Sequence, residues 1–311
     1  MSEVFHAGEI EVQRRAGVER MASRVGNSIH AAVPPVAEEF LAARRWVVLA
    51  TTDDTERPWA SVLSGSPGFV RVLNGGMDGS GATHPPALAL RATPASGDPL
   101  AANLSSTEFV GLLAIDLATR RRMRVNARLT SHGDGAIVLR ADQIYSNCPQ
   151  YIQRRRESAG ARQQGAPGVR HANALSASQR DWIAASDTFF IATVNPGEGA
   201  DASHRGGPPG FVRVLGDRLV WPDYQGNMMF NTLGNITVFP KAGLLFPDFA
   251  TGSTLQVTGV ASIDWDAGRA AAVPGAQRLV ELTVEEVVEI RGAMPDRLEL
   301  VDYSPHLPGA T

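Results

Sequence analysis

His6 and Glu9 stand three residues apart near the N-terminus. On a helix that spacing puts both on one face, where an imidazole and a carboxylate can act as an acid/base pair. A solvated, mobile arm is the competing reading. Cys148 is the single cysteine, and it precedes Pro149 and a segment that reads as a helix over 149–159. A thiol at a helix N-terminus has a lowered pKa and is reactive, whereas a lone cysteine is more commonly a small buried residue. One cysteine excludes an internal disulfide and a multi-thiolate zinc site. The seven histidines show no metal-ligand spacing, so no metal is expected. Of the 29 basic residues only Lys241 is a lysine. Schiff-base chemistry therefore has one candidate, and any phosphate must be met mainly by arginine and backbone amides. Neither a Walker loop nor a Rossmann glycine fingerprint nor a nucleophile elbow is present.

The chain that positions these residues has 311 residues, 43% of them hydrophobic and 20% charged. That composition excludes disorder of the whole chain and allows two ordinary domains. A net charge of −3 gives no global field toward nucleic acid or anionic membrane. The first residues carry acids and arginines without an apolar core, unlike a signal peptide, and no apolar run approaches membrane-spanning length. A cytoplasmic location is the expectation.

The organisation is a repeat. Residues 40–73 align without a gap to residues 182–215 at an offset of 142, and 15 of the 34 positions are identical. The match resumes at an offset of 132: Asn103 with Asn235, Gly111-Leu112-Leu113 with Gly243-Leu244-Leu245, and Val125 with Val257. The difference falls in the Gly/Pro-rich stretch 74–98, which reads as a loop insertion in the first copy. A period this long gives each copy its own core, and two fused copies pack as a pseudo-dimer.

Each copy reads as short strands at regular spacing, which suggests a small barrel. Strands are expected at 46–52, 59–63, 68–73, 110–115, 122–128 and 136–140, and again at 189–194, 201–205, 210–215, 242–246, 254–263 and 278–283. Helices are expected at 35–45 and 178–186, the second capped by Ser178 or Ser176. Residues 160–175 read as a linker.

Several segments carry a family resemblance: residues 222–261, ASHRGGPPGFV at 202–212, TRRRMRVNA at 119–127, NCPQYIQRR at 147–155, and FHAGE with Gln13 in the N-terminal arm. The chain resembles the pyridoxamine 5'-phosphate oxidase-like family of FMN-binding split barrels. In particular it is similar to the tandem, two-barrel members described as predicted flavin-nucleotide-binding proteins. The resemblance implies a mainly β fold with a few helices (α+β), built as two tandem antiparallel split barrels, with FMN held between them. The expected divisions are an arm at 1–35, a first barrel at 36–145 and a helix and linker at 146–177. The second barrel follows at 178–291 and a tail at 292–311.

Comparing the copies says which site is intact. Ser203-His204-Arg205-Gly206 in the second copy faces Ser61-Val62-Leu63-Ser64 in the first. The second copy also has Asp223, Tyr224, Asn227, Asn231 and Thr232, most of which the first has lost. One intact site on the second copy and one degenerate site are therefore expected. The resemblance implies phosphate contacts from Ser203 and Arg205, then Asn227 and Asn231. It adds Arg122, Arg124 and Asn126 from the partner barrel; their alternation puts all three on one strand face. Many relatives carry a lysine on the helix at 231–238 and this chain does not, so Arg205 is expected to carry more of the charge. The expected function is an FMN-binding oxidoreductase acting on a small-molecule substrate, not a vitamin B6 oxidase, because no basic pocket for a second phosphate is evident. The alternatives are an electron-transfer module for a partner reductase, a haem protein using His204, and a scaffold without cofactor. No nucleic-acid or membrane partner is expected. A monomer with pseudo-dimeric barrels and a homodimer are both open.

Overall fold

The structure is a computed structural model that describes residues 4–30, 33–73, 75–77, 83–84, 86–146, 149–158 and 168–308. Cys148 and residues 160–167 of the expected linker lie outside them. The arm is two helices, α1 (Ala7–Arg15) and α2 (Glu19–Gly26). The first half follows as α3 (Pro35–Ala42), β1 (Trp46–Thr52), β2 (Pro58–Ser64), β3 (Val70–Leu73), β4 (Gly76–Met77), β5 (Thr83–His84), β6 (Ala87–Arg91), α4 (Leu100–Asn103), β7 (Phe109–Asp116), β8 (Arg121–Gly133) and β9 (Ala136–Ser146). Two short strands, β10 (Arg154–Glu157) and β11 (Val169–Ala172), precede the second half. That half comprises α5 (Ala177–Ala185), β12 (Thr188–Asn195), β13 (Gly199–Gly206), β14 (Arg213–Leu215), β15 (Arg218–Tyr224), α6 (Asn231–Val238), β16 (Lys241–Asp248), β17 (Ser253–Asp264), α7 (Ala267–Ala271) and β18 (Ala276–Ile290). β19 (Leu298–Asp302) comes last. Among the described residues no helix is long and apolar enough to cross a membrane.

The two main sheets run β2-β1-β7-β8-β9-β6-β3 and β13-β12-β16-β17-β18-β15-β14. Strand for strand this is one order used twice, antiparallel throughout. The fold is a tandem pair of antiparallel split barrels. Register repeats as well: Ala50 pairs with Gly111, and Ala192 with Gly243. A side-chain bond repeats with it, from Asn103 to Thr51 Oγ1 and from Asn235 to Thr193 Oγ1, both at 3.0 Å.

The edge-to-centre strands explain their own sequences. In β12 (TFFIATVN), Phe189 and Ile191 fill the second barrel, while Phe190 and Ala192 face the first barrel. β1 does the same with Val47 and Leu49 inward and Trp46, Val48 and Ala50 outward. A strand buried on both faces needs an unbroken apolar run rather than an alternating one. Trp46 meets Phe190 edge-on across the interface at 5.9 Å.

Four expectations are corrected. The helix expected at 149–159 is absent; Arg154–Glu157 is a strand paired with β19. Its side chains alternate. Arg155 turns inward to both oxygens of Asp187 at 2.7 Å, and Arg154 and Arg156 turn outward to Asp302 and Glu299. The end of the expected linker is strand β11, which extends β18. The stretch 74–98 contains β6, the counterpart of β15, so the insertion is shorter than expected. The tail supplies β19 instead of trailing free.

The barrels touch most closely at two glycines. A Cβ on Gly111 would fall 2.7 Å from Ala202 N, and one on Gly243 would fall 2.3 Å from Pro58 O. Both obstacles are backbone, which cannot rotate away. Gly243→Ala should therefore lower stability by roughly 1–3 kcal/mol, read as a lower midpoint in thermal melts. Gly199→Ala, where a Cβ meets nothing within 4 Å, should not.

Candidate functional site

β13 turns Asp201, Ser203 and Arg205 to one side and Ala202 and His204 to the other. Asp201 is buried and collects donors: Ser203 Oγ at 3.1 Å, Thr232 Oγ1 at 3.3 Å and Tyr145 Oη at 3.5 Å. Its ion-pair partner comes from the other barrel. Arg124 on β8 crosses the interface to Asp201, donates to Asn231 Oδ1 at 3.4 Å, and lies 5.1 Å over the Tyr145 ring. Burial lowers the Arg124 pKa from its ordinary value. An ion pair taken this far from water needs further hydrogen bonds to hold it; Asp201 has them, whereas Arg124 Nε has no partner among the described residues.

Beside this network is a cavity of about 270 Å³ lined from both barrels. The first turn of α6 opens onto it through Asn231, Thr232 and Leu233. No side chain caps α6, and its N-cap residue, Phe230, is left-handed at φ 63°. Met228 is left-handed as well, at φ 66°. Two bulky residues in that region cost on the order of 1–3 kcal/mol each. The result is a helix N-terminus presenting its amides, and its positive dipole end, to the cavity.

Arginines surround the same space. Arg122, Arg124, Arg205 and Arg278 line it. Asp223 bridges two of them, with Oδ1 2.7 Å from Arg205 and Oδ2 3.1 Å from Arg278. Arg205 is therefore held by a carboxylate and shares the positive charge with Arg278. His204 also lines the cavity; it is 6% exposed and meets Phe190 edge-on. Neither ring nitrogen has a hydrogen-bond partner among the described residues. Burial, and then the Arg122, Arg155 and Arg205 guanidiniums, hold its pKa well below the usual histidine value. The ring is a neutral donor and acceptor with both functions free. At the rim Tyr151 and Tyr224 pair at 5.1 Å, and burial with Tyr151 alongside raises Tyr224 to about 12.

The family model for pyridoxamine 5'-phosphate oxidase matches residues 175–297. The matched residues span the second barrel, which is similar to that oxidase's domain. No curated protein matches the chain in sequence. Among solved structures, a candidate pyridoxamine 5'-phosphate oxidase of Lactobacillus delbrueckii is 22% identical, covering 37% of this chain and 94% of its own, with a TM-score of 0.30. HupZ of Group A Streptococcus is 16% identical over 36% of this chain and 91% of its own, TM-score 0.30. A FAD-binding protein of Mesorhizobium loti is 14% identical over 40% and 97%, TM-score 0.29.

Against this oxidase-like domain the expected site residues fall in two places. Ser203, His204, Arg205, Gly206, Asp223, Tyr224, Asn227, Asn231, Thr232, Arg122 and Arg124 all line the main cavity. Asn126 does not. It lies in a second cavity of about 460 Å³ on the other side of the Arg124–Asp201–Asn231 network, together with His6 and Glu9. There the arm is folded and packed: His6 caps α1 in a reciprocal box with Glu9, and His6 Nε2 lies 2.9 Å from Asn235 Oδ1. Neither residue lines the main cavity. Asp201, Arg278 and Tyr151 were not singled out. The first two were accessible to the same comparison of copies, since Asp201 stands opposite Trp59 and Arg278 opposite Ala136.

The counterpart positions facing the first barrel are buried and carry no arginine. Arg122, Arg124 and Asn126 correspond to Thr254, Gln256 and Thr258, all 0% exposed. Gln256 reaches across the interface as Arg124 does, but donates to Ala60 O and Ser61 Oγ, each at 2.9 Å. Gln256 also donates to the buried Asp98 at 3.2 Å, so neutral side chains stand where the other site has its arginines.

Glu9 yields a pH prediction. It is 4% exposed, and burial raises its pKa from 4.5 to about 7 against the bonds from His6 N and Asn231. Between these values the folded state holds a proton that the unfolded state releases. Stability therefore falls as pH rises from 4.5 to about 7, by a full span on the order of 3 kcal/mol. Asp98, raised to about 6 by burial, acts with the same sign. Glu9→Gln should flatten this slope, though not abolish it, in denaturant melts taken across the window.

Proposed function

We propose that the chain binds one FMN between its barrels and is an FMN-dependent oxidoreductase. The observation that carries this reading is the convergence on one cavity of four arginines, the uncapped first turn of α6 and the unpartnered imidazole of His204. A phosphate monoester fits the first two: guanidinium forks and helix-terminal amides are its usual partners. A flavin edge, which both donates and accepts hydrogen bonds, fits the third. The domain match, and the FAD binding of the similar Mesorhizobium protein, agree with a flavin.

Flavin supplies electron and hydride transfer when bound; the chain supplies position and field. Arg122 and Arg124 would approach from the first barrel. Arg205 and Arg278, held apart by Asp223, would approach from the second. Tyr151 and Tyr224 form an aromatic rim over which a small substrate would enter. The counterpart positions lack arginine, which supports one cofactor per chain.

Titration with FMN followed by absorption should saturate at one equivalent per chain. Arg205→Ala should weaken binding by about tenfold or more, because a charge-assisted bond is lost while Asp223 keeps Arg278. A Soret band in place of a flavin spectrum would move the reading to haem on His204. Full retention of FMN by Arg205→Ala would dismiss this site.

A further inference from the structure

The N-terminal arm grips the cofactor cavity from behind. His6, Glu9 and Gln13 all face α6: His6 meets Asn235, Glu9 accepts from Asn231, and Gln13 Nε2 donates to Met229 O at 3.1 Å. The separation of the helices is fixed. A Cβ on Gly8 would fall 2.3 Å from Gly234 O, and one on Gly234 would fall 2.5 Å from Glu9 Cγ. Val12, 1% exposed, seats α1 in the core of the second barrel.

The third contact lands on a particular residue. Met229 lies between Met228 and Phe230, the two left-handed residues that set up the uncapped N-terminus of α6. Left-handed methionine and phenylalanine do not hold that shape by preference. Among the described residues the turn is tied by Tyr151 Oη on Gln225 O at 3.0 Å, by Asn227 Oδ1 accepting from Met229 N at 3.2 Å, and from outside the cavity by Gln13 on Met229 O. Gln13 is itself buried, and on the cavity side the same turn leads directly into Asn231 and Thr232. The unpartnered, buried His204 on the cavity wall is an independent sign that a ligand belongs there.

We infer that Gln13 is a positioning residue for the ligand's phosphate. By holding the Met228–Phe230 turn, it keeps the first-turn amides of α6 aimed into the cavity without touching the ligand. The inference rests on the flavin reading and names the arm as part of that site.

The test separates phosphate recognition from general integrity. Wild type and Gln13→Met are titrated with FMN and with riboflavin, which lacks the phosphate, by quenching of flavin fluorescence. The variant should lose about tenfold in affinity for FMN and little for riboflavin, since one hydrogen bond and its alignment are removed. The inhibition constant of inorganic phosphate against FMN, corrected for each protein's own FMN affinity, should likewise be about tenfold weaker for the variant than for wild type. Equal losses for both flavins, or unchanged FMN and phosphate affinities, overturn the inference. Arg14→Ala, on an exposed part of α1, should match wild type throughout. A wild-type chain that binds neither flavin refutes the flavin reading, and this inference falls with it.

Discussion

Two residues without side chains set how closely the barrels meet. At Gly111 and Gly243 backbone lies against backbone, closer than any Cβ permits. That contact sets β7 against β13 and β16 against β2, and it brings β8 within reach of the other barrel. Arg124 can then cross to Asp201, and a cavity can be walled by both halves. The apolar interface around Trp46, Phe190 and Leu245 supplies the cohesion. The glycines supply the distance.

Within that frame the site is a problem in buried charge. Arg124 and Asp201 are taken from water together, and the network around them uses side chains from β13, α6, β9 and the arm. Glu9 joins the network at Asn231, which is why a titrating carboxyl far from the cavity mouth still shares its structure. At the counterpart position the same backbone does without arginine, using Gln256, Ser61 and the buried Asp98 with two buried threonines.

Much of this was legible from the chain itself. A duplicated segment located equivalent strands, and contrasts between equivalent positions, together with the family resemblance, pointed to eleven residues that line one cavity. What escaped depends on contacts distant in sequence. Arg154–Glu157 has the look of a charged helix, and only its pairing with a strand near the C-terminus makes it β. β15 contains Pro222, a residue that argues against a central strand, yet it pairs along the length of β18. Strand alternation placed Asn126 beside Arg124. The register shifts between Asn126 and Ala127, and Asn126 opens into the other cavity.

The Asn103–Thr51 bond and its twin Asn235–Thr193 survive in both halves, although only one half keeps the cavity. In an assembly of two identical chains, every substitution is made twice, and a site can be neither lost nor refined alone. Joining the halves in one polypeptide removes that symmetry of inheritance. One half is then free to become scaffold and lend an arginine, while the other specialises. The twin bond marks what the shared architecture still requires of both.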